Sequence, residues 1–188
     1  MLNKMLVAAI VSLLSVPSVW AEQLLVAAKS EIKFLGKQMG VAQDGKFSKF
    51  SAKVNLDPKK PDTSHAEITV ELGSIDLGSA EANEEVIRPD WFDVAKFPQA
   101  KFVSSNIKNI SGDKFEMRGK VTIKGTTKDV VVPFTLKEAG GMTTAQGAIE
   151  VKRLDFKVGA GVWGDLETVA NEVQIKFSLA LSGAATKQ

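Results

Sequence analysis

The chain has 188 residues, enough for one domain around one sizeable core, and its 44% hydrophobic and 24% charged content excludes a disordered tail. Lys and Arg number 24 against 22 Asp and Glu, a net +2 that leaves no electrostatic footprint for nucleic acid. With no Cys and His65 as the one histidine, thiol nucleophiles, disulfides, cysteine zinc sites and multi-histidine metal sites are excluded.

The first 21 residues have the layout of an export signal. Lys4 is the positive start, and Leu6 to Val16 form an apolar run too short to cross a hydrocarbon layer of about 30 Å. Pro17 ends the run, and Val19 and Ala21 are the small residues that cleavage between Ala21 and Glu22 requires. Residues 1–21 are therefore expected to be a signal peptide and residues 22–188 a single exported domain. No Cys follows the apolar run, so a lipid anchor there is excluded.

From residue 31 onward apolar residues alternate with polar ones at period two, the mark of strands with one face on a core. In chain order the expected strands are 31–37, 46–56 and 66–72, then 100–106, 114–124, 130–137, 145–152 and 172–181. The clearest is 114–124, where Phe115, Met117, Gly119, Val121 and Ile123 share one face and Lys114, Arg118 and Lys120 lie on the other. Between the third and fourth strands, residues 73–99 break the rhythm. Ser79 is a plausible N-cap, good helix formers run to Ile87, and Pro89 stops them, which predicts a short helical excursion. Gly112-Asp113, the stretch Gly125 to Asp129 and Gly140-Gly141 read as hairpin turns. Pro133 costs its strand a ladder donor and places it at an edge or bulge.

The pattern thus predicts an all-β fold of eight antiparallel strands, either a sandwich or a closed barrel. Closure removes exposed edges, and eight strands enclose either packed side chains or one small ligand. The inward set mixes Ala52, Ala66, Ala100, Gly119 and Gly147 with several of the ten Phe, and there is no Tyr. Such a mixture fits a dry cavity and a solidly packed barrel equally well.

Groups that could do chemistry are few. His65 stands at a turn on the polar side of its strand, and Glu81, Glu84 and Glu85 read as a solvated helix face. Ser48 and Ser104 are the inward hydroxyls by parity, each without a histidine partner in the sequence. Lys152 to Asp165 reads as a mouth loop in which Arg153 could pair with Asp155, beside Phe156 and Trp163.

The succession Lys29 to Phe34, Gly45 to Phe50, Gly73 to Asp76, Asp90 to Phe102, Gly119 to Lys128 and Lys152 to Phe156 resembles the YceI-like family of bacterial polyisoprenoid-binding proteins. The resemblance implies an eight-stranded, lipocalin-like barrel in the periplasm that encloses the hydrocarbon tail of an isoprenoid or another long amphiphile. Links of some relatives to membrane b-type cytochromes imply such a partner and quinone-type cargo; no resident cofactor and no metal are expected. Many members carry His near both ends of the first strand, where this chain has Lys29, Gln38 and Met39. On this reading the expected lining runs through Ile32 and Phe34 on the first strand, Val54 on the second, and Ile68 and Val70 on the third. It continues through Phe102, Val121, Ile123 and Phe134 to Phe156 and Trp163, with Arg153 near the head group. The expected function is a non-enzymatic lipid carrier or store. The rivals are a ligand-free protein that docks on a membrane redox partner, and a lipid-processing enzyme.

Overall fold

The computed structural model describes residues 23–183; the expected export signal and its cleavage point lie outside them. The strands are β1 (Leu24–Leu25), β2 (Glu31–Gln38), β3 (Val41–Phe47), β4 (Phe50–Asn55), β5 (His65–Glu71) and β6 (Ile75–Asp76). After helix α1 (Ala80–Val86) come β7 (Gln99–Ser111), β8 (Lys114–Ile123), β9 (Thr126–Ala139), β10 (Met142–Lys152) and β11 (Glu172–Ser182). All join one antiparallel sheet in the order β4-β5-β7-β8-β9-β10-β11-β2-β3-β6, with β1 beside β11. No helix among the described residues is long and apolar enough to cross a membrane.

The expected strand 46–56 is two strands joined by a corner, and this corner makes the barrel. β3 and β4 sit near opposite ends of the strand order, yet only Ser48 and Lys49 separate them in the chain. At the corner the backbone bonds to the turn before β6: Ser48 N–H donates to Ser74 O at 3.1 Å, and Glu71 N–H to Lys49 O at 3.0 Å. Opposite the corner, β1 draws the remaining edges together. Gln23 bridges to Val54 in β4, while Leu24 and Leu25 pair with Ser182 and Leu181 in β11. With β3–β4 taken as one bent strand, and the two-residue β1 and β6 set aside, the wall has the expected eight strands. Residues 41–45 of β3 and the two-residue β1 and β6 were not expected, because Val41 to Asp44 do not alternate and two residues are too few for a period.

β8 shows why period two builds this wall. Phe115, Met117, Val121 and Ile123 are buried, whereas Lys114, Arg118 and Lys120 are exposed. The expected turn over Gly125 to Asp129 is shorter: Lys124 and Gly125, at φ +47° and +74°, make a two-residue loop, and Thr126 already pairs with Ile123. Pro133 is not on an edge strand, since β9 lies between β8 and β10. It stands where the β9–β10 pairing stops, one residue past the Phe134–Gly147 pair, so β9 needs no donor there on its β10 side. Beyond that point the β8–β9 and β10–β11 hairpins diverge, and this end of the barrel is wider.

The inward glycines do not mark empty space. Phe177, directly opposite Gly147, covers it, so a Cβ there would stand 2.6 Å from the Phe177 ring and 2.6 Å from Pro133 O. Phe102 covers Gly119 diagonally, from two residues along β7 from the Ser104 opposite it, with its ring 2.7 Å from where a Cβ would be. Flat rings on glycines let strands carry large side chains at close spacing.

The helical excursion forms as expected, with Ser79 Oγ accepting from Ala82 N–H at 3.2 Å. The packed core fills only the narrow end of the barrel. There Val54, Leu56, Ala66, Ile107, Phe115, Phe134, Leu136 and Leu181 form one buried cluster. A second cluster of Val121, Ile123, Val151, Phe156 and Val158 lies towards the wide end.

Candidate ligand cavity

Above the packed end the barrel holds a cavity of about 940 Å³. Its walls are the inward residues of the strands: Ile32 and Phe34 from β2, Ile68 and Val70 from β5, Phe102 from β7, and Val121 and Ile123 from β8. Ile149 and Val151 from β10 and Val173, Ile175 and Phe177 from β11 complete the ring, over a base that includes Met117 and Val132. Leu77, Val86, Trp91, Phe92, Phe156, Val158 and Trp163 converge on it from the helical excursion and the 153–171 loop.

Polar lining is concentrated on segments outside the barrel wall or at strand ends: Lys37, Gln38 and Gln43 on the β2–β3 hairpin, and Ser79, Glu81, Glu84, Glu85 and Arg88 around α1. The opening is thus framed by a hairpin, a helix and a loop, while the interior is hydrocarbon. Such a space can hold a long apolar chain whose polar end stays among the rim residues.

Ten of the twelve residues expected to line the site are on this wall, and two are not. Val54 and Phe134 belong to the packed cluster at the narrow end, and Phe134 stacks there on Phe115 at 5.5 Å. Alternation assigns a side chain to the inside of a barrel but not to a height along its axis. Trp91, Phe92, Val158 and the inward residues of β10 and β11 were missed. The strand residues carried the same period-two signal as those chosen; Trp91 and Phe92 lie in a loop, where no period exists.

Arg153 has a different role from the one expected. It is 4% exposed and does not pair with Asp155. Its guanidinium donates instead to five backbone carbonyls. Nε reaches Ala170 O at 3.0 Å, one terminal nitrogen reaches Val158 O at 3.0 Å and Gly159 O, and the other reaches Trp163 O at 2.7 Å and Val169 O at 2.8 Å. Those five bonds use all five N–H groups of an arginine, so none is left for a ligand head group. The side chain instead gathers the 153–171 loop around itself. Burial pulls its pKa down from the usual value, and an arginine so placed remains a cation. It also lies 5.9 Å from the Trp91 ring centre.

Trp91 and Trp163 pack at 5.6 Å. Trp163 Nε1 donates to Glu85 Oε1 at 3.2 Å, which joins the loop to α1, whereas Trp91 Nε1 is buried without a partner. Lys124, at the β8–β9 tip, donates to Pro89 O at 2.6 Å and Lys157 O at 2.9 Å and so ties the same two segments to the wall. Burial lowers its pKa, partly offset by Asp93 and Asp90.

The serine reading also needs a correction. Ser104 Oγ lies 3.2 Å from His65 Nδ1, a partnership across β5 and β7 that 39 residues of sequence separation hid. Ser104 Oγ also accepts from Ala66 N–H at 2.9 Å, and neither Ser104 nor His65 lines the cavity. Ser48 is exposed and donates to Ser74 O at the barrel corner. Among the described residues no group of three or more His, Asp or Glu side chains could hold a metal ion.

Comparison with known proteins places this architecture. The family model described as the YceI-like domain matches residues 24–181, nearly the whole described chain. The chain belongs to the YceI-like family. Its relatives include the protein YceI of Salmonella arizonae, 30% identical over 145 residues that span 72% of this chain and 71% of that one. Among solved structures, the crystal structure of Burkholderia cenocepacia BcnA is 44% identical, with a TM-score of 0.81 over 83% of this chain and 98% of that one. A polyisoprenoid-binding domain from Saccharophagus degradans, implicated in plant cell wall breakdown, is 14% identical with a TM-score of 0.69 over 88% of this chain and 99% of that domain, and so shares the fold. The lipocalin-like barrel expected of a YceI-like chain is therefore the fold that this sequence adopts.

Proposed function

We propose that this YceI-like chain is a non-enzymatic carrier or store that shelters a polyisoprenoid, or a similar long-chain amphiphile, inside its barrel. The cavity carries the reading: about 940 Å³ walled mostly by aliphatic and Phe side chains, with its ionisable side chains gathered at the opening apart from the saturated Arg153 and from Lys101 near the start of β7. At protein-like packing a five-carbon isoprene unit occupies on the order of 120 Å³. The cavity therefore has room for roughly seven or eight such units. Each buried methylene contributes about 0.8 kcal/mol, so a tail of that length saturates attainable affinity, near 18 to 21 kcal/mol, before it is fully enclosed. Discrimination then rests on chain length and on the rim.

The family and the polyisoprenoid-binding neighbour of the same fold support the lipid class. In this reading the chain works in the periplasm after removal of residues 1–21. Quinone-type cargo and a membrane b-type cytochrome as recipient are its finer form. The test is mass spectrometry of an organic extract of the purified exported protein, together with uptake of a long-chain prenol added to stripped protein. A co-purifying isoprenoid and stoichiometric uptake are expected. No lipid in the extract and no uptake would end the proposal.

A further inference from the structure

The rim of the cavity combines apolar exposure with a held backbone. Met39 is 77% exposed and Val162 82%, and Val41 after the same hairpin tip, Leu166 in the same loop as Val162 and Ile87 at the end of α1 are exposed too. Hydrogen bonds connect the segments that carry these side chains. Met39 N–H donates to Thr168 O at 2.8 Å, Ala170 N–H donates to Lys37 O at 3.0 Å, and Gln38 bridges to Val169, which fastens the β2–β3 tip to the 161–170 loop. Trp163 in that loop bonds to Glu85 of α1, two residues before Ile87. The apolar tips therefore follow the hairpin, loop and helix that frame the opening. Lys37, Gln38, Val86, Arg88, Trp163 and Val169, their neighbours in sequence, line the cavity itself.

Met39 is disfavoured locally on two counts. With Gly40 it forms a two-residue hairpin loop in which both residues have positive φ, +49° and +77°. That geometry favours Asn-Gly, and Met at its first position is both conformationally and hydrophobically expensive. A local cost of this kind points to function.

We propose that this rim docks on a phospholipid bilayer, with Met39 and Val162 entering the interface so that the cavity opens onto the hydrocarbon. The proposal rests on the lipid-carrier reading. Each methylene that crosses open water slows transfer about fourfold, so a long tail needs an unbroken apolar path from membrane to barrel. The apolar tips surround a hole. A protein interface has instead a continuous apolar centre, whereas a fluid bilayer conforms to a ring. Charges on the same segments are net acidic, with Lys37 and Arg88 against Glu81, Glu84, Glu85, Asp165 and Glu167, so apolar insertion drives docking rather than attraction to anionic lipid.

The test compares the full exported chain with a Met39→Asp/Val162→Asp variant. Asp tolerates positive φ at 39, and neither side chain is packed, so the variant keeps its fold and melting temperature. The native chain is expected to float with phosphatidylcholine vesicles, with or without phosphatidylglycerol, and to stay bound at about 0.5 M salt. The variant is expected to partition at least about tenfold more weakly, and to extract a fluorescent long-chain prenol from vesicles about tenfold more slowly, with unchanged uptake from detergent micelles. Absence of flotation by the native chain, equal flotation of the two proteins, or loss of binding with salt overturns the proposal. So does rim-dependent dimerisation by sedimentation in place of vesicle binding, which gives the rim to a second copy. Rim-dependent flotation without prenol uptake from either source supports docking and overturns the carrier reading alone.

Discussion

The Arg153 guanidinium is the residue on which the mouth of the barrel depends most. A buried cation without a carboxylate is tolerated here because five carbonyl dipoles converge on it. Lys cannot replace it, since an ammonium has three N–H donors and a different shape. Arg153→Lys is expected to lower unfolding free energy by about 2 to 4 kcal/mol, measured by urea denaturation, because carbonyls are left buried and unbonded. Gly147→Leu makes a complementary case. Although the barrel is hollow above it, the new side chain would collide with Phe177 and Pro133 O, so the substitution is expected to destabilise the fold by about 1 to 3 kcal/mol or more. An unchanged melting temperature would contradict the ring-over-glycine packing.

Among the elements, the 161–170 loop has little packing of its own and is held by polar contacts. Asp165 accepts from Thr168 Oγ1 at 2.7 Å and from Glu167 N–H at 3.1 Å, and these bonds hold its carboxyl below its usual pKa of 3.8. A carboxylate with a depressed folded pKa contributes stability that is fully present above 3.8 and is lost as pH falls through the lower, folded value. Amide protection at Met39 and Ala170, whose N–H groups bond to Thr168 and Lys37, is therefore expected to decline only below pH 3.8, and Asp165→Asn is expected to remove that dependence. Exchange that is independent of pH in this range, after correction for intrinsic rates, would refute the account. α1 is simpler. Its seven residues cannot form a stable helix alone, and Ser79→Ala is expected to cost about 1 kcal/mol through loss of the cap to Ala82.

At the scale of the molecule, the barrel is half core and half container, and the two halves should respond differently to the same kind of change. Leu181→Ala at the packed end opens a new void and is expected to cost about 3 to 5 kcal/mol. Ile68→Ala on the cavity wall enlarges a space that already exists, and its cost should stay nearer about 1 to 2 kcal/mol by thermal or chemical unfolding. Ile68→Trp should leave stability near native while it shortens the longest prenol retained. Equal costs for the two Ala substitutions would mean that the wide end is packed and not hollow.

Much of this was legible before folding. Alternation along 114–124 and 172–181, the cap at Ser79 and the break at Pro89 are local facts, because a side chain's face is set by backbone period and a helix start by hydrogen bonds within four residues. The all-β class, the helical excursion and most of the cavity wall follow from them. What only the tertiary structure decided depends on groups far apart in sequence. Parity could not show that Phe134 lies low and Phe102 high, that Ser104 meets His65, or that Arg153 spends its donors on residues 158–170. Nor could it show the corner at Ser48-Lys49, which exists because β3 and β4 find partners at opposite ends of the sheet. Period fixes inside against outside; height along the barrel, and with it the boundary between core and cavity, is set by register and closure, which are properties of the whole sheet.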